Sequence, residues 1–155
     1  MTTIHYPRTR LKFSTKAIVA EQARTDCLIV FAYGDGSLSD AAKRVDQAAK
    51  GALTRAIKAR DITGKIGSSI ALRELPGVTA TRVLLAGAGD ADDWNAKHFA
   101  DALRAAYKAA HATGAKSLAV ASTDALSDRD AAWAVRHAVV LAREAAYRFD
   151  ELKSK

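Results

Sequence analysis

Gly87-Ala88-Gly89 stands between an apolar run, Thr81 to Ala86, and a segment with helical spacing. Glycines in that setting let backbone N–H groups meet a phosphate at a helix N-terminus, which makes Gly87 and Gly89 candidates for a nucleotide loop. The third glycine of the dinucleotide fingerprint is missing, because Asp92 takes its place. Asp90, Asp92 and Asp93 put negative charge where an anion would sit, so a tight strand-to-helix turn with an acidic cap is the better reading. These aspartates and His98 have the donor types for a metal, but adjacent carboxylates at a helix start serve as caps. The chain carries no HExxH, no paired cysteines and no calcium-loop spacing, and no metal site is expected within it. His5 lies near the start, His111 near a helix end where positive charge suits the dipole, and His137 one turn beyond Trp133. None has a neighbouring cysteine or an identifiable serine partner, so a nucleophilic triad has no basis. Cys27 opens an apolar run and is expected to pack.

A second constellation is basic. On a helix from about Ser39 to Arg60, with about 100° per residue, Lys43, Arg44, Lys50, Arg55 and Lys58 fall within an arc of about 140°. Val45, Ala48, Ala49, Ala52, Ala56 and Ile57 take the remaining side. Arg60 and Lys65 extend the positive charge, and Arg8, Arg10, Lys12 and Lys16 form another cluster. The stripe reads first as the solvated face of an amphipathic helix. The sharper alternative is a surface that contacts DNA phosphates, with steep salt dependence. Few aromatic residues accompany the charges, which argues against stacking on single-stranded bases.

These residues need a scaffold, and hydrophobic periodicity supplies one. Leu11-Lys12-Phe13 alternates as a half-buried strand, and Cys27 to Tyr33 is a continuous apolar run typical of a strand covered on both faces. Ser68 to Arg73, Thr81 to Ala86 and Lys116 to Ala121 complete five strands. Helices are expected over 39–60, capped by Ser37 or Ser39 and loosened at Gly51; after Asp92 or Asp93 and up to Gly114; and from Arg129 to Leu152 behind Asp128. Strands alternating with helices favour parallel pairing and a three-layer α/β/α sandwich with a mixed, largely parallel sheet.

The chain's 155 residues suit one compact domain, and 49% hydrophobic with 26% charged residues excludes a disordered chain. The apolar run at Leu28 to Ala32, within Cys27 to Tyr33, is too short for a bilayer, the N-terminus lacks a secretory h-region, and one cysteine fits a reducing cytoplasm. A net charge of +7 permits phosphate contact without requiring it.

Four segments together resemble the N-terminal domain of the leucyl (cytosol) aminopeptidases, of the bacterial aminopeptidase A type. They are LKFS at 11–14, ITGKIGSSIAL at 62–72, RVLLAGAGD at 82–90 with the TGAKSLAV strand beyond it, and AVRHAVVLAREAAYRFDELKSK at 134–155. The resemblance implies a macro-domain-like fold for residues 1–155 as one non-catalytic domain, with the catalytic metallopeptidase domain following Lys155. It implies no cofactor in this chain, and two divalent metals, zinc or manganese, in that second domain. The family's metal signature Asn-Thr-Asp-Ala-Glu-Gly-Arg is absent; Ser122-Thr123-Asp124-Ala125 is an incomplete echo, so no catalytic residue carries over. The resemblance further implies a cytoplasmic hexamer with these domains outside the catalytic core. Some bacterial members bind double-stranded DNA, and macro-domain relatives bind ADP-ribose, which gives the basic stripe and the glycine loop their alternative readings. No membrane partner is implied.

Overall fold

The computed structural model describes residues 1–5, 12–15, 18–93, 95–121 and 131–153. Six strands form one mixed sheet. They are β1 (Thr2–His5), β2 (Lys12–Thr15), β3 (Cys27–Tyr33), β4 (Ser69–Arg73), β5 (Arg82–Gly89) and β6 (Ser117–Val120), in the spatial order β2-β1-β6-β3-β5-β4. Parallel pairing is confined to the three central strands, β6-β3-β5. The flanking pairs β1–β2, β1–β6 and β4–β5 run antiparallel. The short link from β4 to β5 leaves no length for a crossover, which forces that pair to be a hairpin.

β3 is buried from Cys27 to Ala32, and its side chains alternate between two cores. Cys27, Ile29 and Phe31 face the helices α3 (Ala96–Ala112) and α4 (Ala131–Lys153), while Leu28, Val30 and Ala32 face α1 (Asp40–Ala48) and α2 (Ala52–Lys58). This two-sided burial is the three-layer α/β/α arrangement, and it explains why the central strands read as unbroken apolar runs. Alanines at 102, 106, 110, 134, 138 and 142 line the α3–α4 side, and the fully buried Tyr107 donates its hydroxyl to the Ala138 carbonyl oxygen at 2.8 Å.

Several boundaries differ from the sequence-based expectation. β1 occupies a segment expected to lie outside the sheet; Thr2 and Ile4 are fully buried because β2 and β6 pair with the strand on both edges. The helix expected over 39–60 is two helices. α1 closes with the Gly51 N–H on the Asp46 carbonyl and the Lys50 N–H on the Gln47 carbonyl, with Lys50 and Gly51 at φ 57° and 83°. This paired-carbonyl ending requires a left-handed residue, which a continuing helix does not allow. Lastly, α3 is capped by Asn95, whose Oδ1 accepts from the His98 N–H, rather than by Asp92 or Asp93. Ser39 does cap α1, and Gly114 takes the left-handed conformation just past α3. Asp128 lies outside the described residues.

Gly87, expected in a loop, lies inside β5. A Cβ at this position would collide with the backbone carbonyl of Lys65. The expected outcome of Gly87→Ala is therefore a loss of about 3 kcal/mol or more, read as a lower urea midpoint at unchanged m-value.

Candidate functional site

In an α/β sheet, ligands gather beyond the carboxyl ends of the parallel strands, where neighbouring connections diverge. β3 has that position here, with β5 on one side and β6 on the other. Three described segments meet there: the Gly34–Ser37 turn after β3, the Asp90–Asp93 turn after β5, and the 63–68 connector that precedes β4. Asp35 Oδ1 accepts from the Ser37 N–H and hydroxyl, which hold its carboxyl below the usual carboxylate range. Asp90 closes the next turn through the Asp92 N–H at 2.9 Å.

The connector fills the crest. Gly64, at φ 80°, lies against the Tyr33 carbonyl with no room for a Cβ. The Gly87 N–H donates to Ser68 O at 2.8 Å, and the Gly89 N–H donates to Gly64 O at 2.9 Å. On the other side, Gly34 N–H donates to Gly89 O at 2.9 Å. The register between β3 and β5 shifts between Ala32 and Tyr33, a bulge that lets Ala88 be skipped while both edges of the strand end stay paired. Gly87 and Gly89 thus spend the N–H groups that a phosphate would need on their own chain.

The basic residues lie elsewhere. Lys43 and Arg44 are on α1, Lys50 is in the left-handed link, and Arg55 and Lys58 are on α2; all five are exposed. The break at Lys50-Gly51 ends the single arc computed for a straight helix, so the stripe is two short groups joined by a turn. Two of the five already have structural work. Arg44 meets Glu21 at 3.3 Å, and Arg55 donates to the Lys50 carbonyl at 2.7 Å, closing the end of α1. Lys43, Lys50 and Lys58 face no carboxylate within ion-pair distance among the described residues. Arg8, Arg10 and Lys16 lie outside the described residues, as does the 122–125 echo.

Asp46 is the residue that sequence reasoning missed. Its Oδ1 accepts from the N–H groups of Leu53 and Thr54 at 2.8 and 3.0 Å, and its Oδ2 accepts from the Thr54 hydroxyl. A carboxylate from the last turn of α1 therefore caps the start of α2, whose own N-cap, Gly51, has no side chain to do so. The only trace in the sequence is a helix-breaking glycine with an aspartate five residues before it.

The histidines do not converge. His98 Nδ1 lies 2.6 Å from the Asp93 carbonyl oxygen, and His137 stacks on Trp133 with ring centres 3.9 Å apart. Among the described residues no group of three or more His, Cys, Asp or Glu could hold a metal ion, so the donors present do not fit a two-metal centre. Cys27 is fully buried, and that burial pushes its thiol up to about 11, outweighing the opposing influence of Arg82. A thiol held protonated at neutral pH is no nucleophile. Among the described residues, no helix is long and apolar enough to cross a membrane.

Residues 29–155 match the cytosol aminopeptidase family, N-terminal domain. The chain belongs to that family. A probable cytosol aminopeptidase of Ralstonia pickettii (strain 12J) is 43% identical over 155 residues, covering 94% of this chain and 31% of the relative. Its namesake in Nitrosomonas europaea is 37% identical over 94% of this chain and 29% of the relative, and that of Stenotrophomonas maltophilia is 44% identical over 84% and 27%. The chain thus spans less than a third of the length of these relatives. The motifs at 62–72, 82–90 and 134–155 fall within the matched residues, whereas β1 and β2 precede them.

Because Asp46 joins two helices, Asp46→Ala is expected to cost about 1–2 kcal/mol. Thermal unfolding followed by circular dichroism checks this, with Asp46→Asn, which keeps an acceptor, losing less.

Proposed function

We propose that this chain is the non-catalytic front domain of a two-metal leucyl aminopeptidase, which removes N-terminal residues, preferably leucine, from peptides in the cytoplasm. Hydrolysis belongs to a catalytic domain further along the same polypeptide, which supplies the ligands for two zinc or manganese ions. The front domain serves hexamer assembly and governs access of peptides to the core. The observation that carries this reading is one of proportion. Aminopeptidases match nearly all of this chain while extending to more than three times its length. The chemistry of the described residues agrees with it. Three of their carboxylates, Asp35, Asp46 and Asp90, are committed to caps and turns, and their one cysteine is buried.

The reading frame beyond Lys155 tests this directly, and a continuation with the two-metal signature is expected. The longer polypeptide should hydrolyse leucine-p-nitroanilide with manganese or zinc, while the purified 155-residue chain should not. Turnover by the short chain would overturn the assignment.

A second reading has its own support. Lys43, Lys50 and Lys58 project exposed, without carboxylate partners among the described residues, from a chain of net charge +7, as a surface for double-stranded DNA would. Replacing all three by Glu is expected to abolish duplex binding at low salt and leave the circular dichroism spectrum intact. For the unaltered chain the log–log salt slope should include about one unit for each phosphate contacted. Equal binding by the triple variant removes this surface.

A further inference from the structure

The outer face of α4 takes no part in the core. Among the described residues three large hydrophobic side chains are exposed, and two of them, Val140 at 52% and Tyr147 at 66%, are on this helix. They are about two turns apart and nearly aligned, since seven residues turn through about 700°. The inner face of α4 is Ala134, Ala138, Leu141 and Ala142, all buried against the sheet and α3. Val140 and Tyr147 point almost directly away from that face, and among the described residues they stay exposed.

Three of the residues around them have partners. Arg143 lies over the Phe13 ring at 5.2 Å, Glu144 meets Arg104 at 3.6 Å, and His137 is held to the Trp133 carbonyl at 2.9 Å. Two apolar side chains thus stand on the helix beside polar groups that have partners of their own. Such a patch is far below the roughly 800 Å² per partner that a stable association of separate molecules needs. A tethered partner needs much less, because its effective concentration reaches about the millimolar range. α4 is the last of the described elements, its helical backbone running to Lys153, and the family that the chain matches is that of an N-terminal domain in relatives more than three times as long.

We infer that the outer face of α4, centred on Val140 and Tyr147, is the seat against which the following domain of the same polypeptide packs. The inference rests on the proposal that this chain is the front part of a longer protein. It adds which surface sets the angle between the two parts.

Cysteine reactivity tests it, because the native thiol at Cys27 is buried and expected to stay unreactive toward alkylation. Tyr147→Cys and Val140→Cys are introduced both in the full-length polypeptide and in the 155-residue chain, and iodoacetamide labelling is followed by peptide mass. Both cysteines are expected to react at least tenfold more slowly in the full-length protein, while a control at exposed Asp61 reacts equally in the two. Equal rates at 140 and 147 overturn the inference. Protection that appears in the short chain as its concentration rises, with doubled mass in light scattering, assigns the face to a second copy and overturns it as well. The paired variant Val140→Lys, Tyr147→Lys adds a stability reading. It should lower the melting temperature of the full-length protein and leave that of the short chain unchanged; an equal drop in both would show a role within this domain and contradict the inference. Leucine-p-nitroanilide hydrolysis by the same full-length protein is scored separately. Protected cysteines in an inactive protein keep the seat and remove the peptidase reading, and reactive cysteines in an active one do the reverse.

Discussion

The close approach of the 63–68 connector to the end of β5 is the contact around which the sheet is organised. It is made almost wholly of backbone: Gly87 and Gly89 donate to Ser68 and Gly64, and Gly34 donates to Gly89. A side chain at 64 or 87 would occupy the space of a peptide group, so the seam exists only because both positions lack one. Its consequences spread in two directions. It sets Ser68 opposite Gly87, from which the β4–β5 ladder continues through Ser69 and Ala86. It also closes the carboxyl ends of β3 and β5, the place where this architecture commonly holds a ligand. Among the described residues, the glycine N–H groups at this crest are thereby committed to the chain's own backbone.

The α1–α2 layer shows how a basic surface is kept in a defined shape. Lys50 and Arg60 both end helices in the left-handed conformation, where each costs about 1 kcal/mol more than glycine would. Hydrogen bonds offset that strain: the paired-carbonyl endings satisfy the last turns, Asp46 caps the second helix, and Arg55 holds the Lys50 carbonyl. The Arg44–Glu21 pair is exposed and contributes little to stability, though it fixes one guanidinium in orientation. Charge here is placed by backbone turns more than by ion pairs.

The opposite layer works by close packing of small residues. Alanines on α3 and α4 let the helices approach, and Tyr107 fills the gap while its hydroxyl finds a carbonyl, as a buried phenol requires. That economy leaves α4 half committed. One face is spent on the core and the other carries apolar side chains that remain exposed among the described residues.

The sequence alone determined the layer architecture and the family. Apolar runs such as Cys27–Tyr33 can be satisfied only by burial on both faces, and the order of strand and helix signals leaves few topologies. The motifs at 62–72 and 82–90 were legible for the same reason, since they are local strings. What only the tertiary structure decided was long-range. β1 is a strand because β2 and β6 flank it, not because Thr2–His5 insists on it. The 39–60 helix divides because a left-handed turn at Lys50-Gly51 is stabilised by Asp46 reaching across to Leu53 and Thr54, and local periodicity contains no record of that reach. Gly87 and Gly89 carry the signature of a phosphate loop, but what faces them is the connector brought in from the other side of β4. A residue's type states what it is able to bind; the chain segment folded against it decides what it does bind.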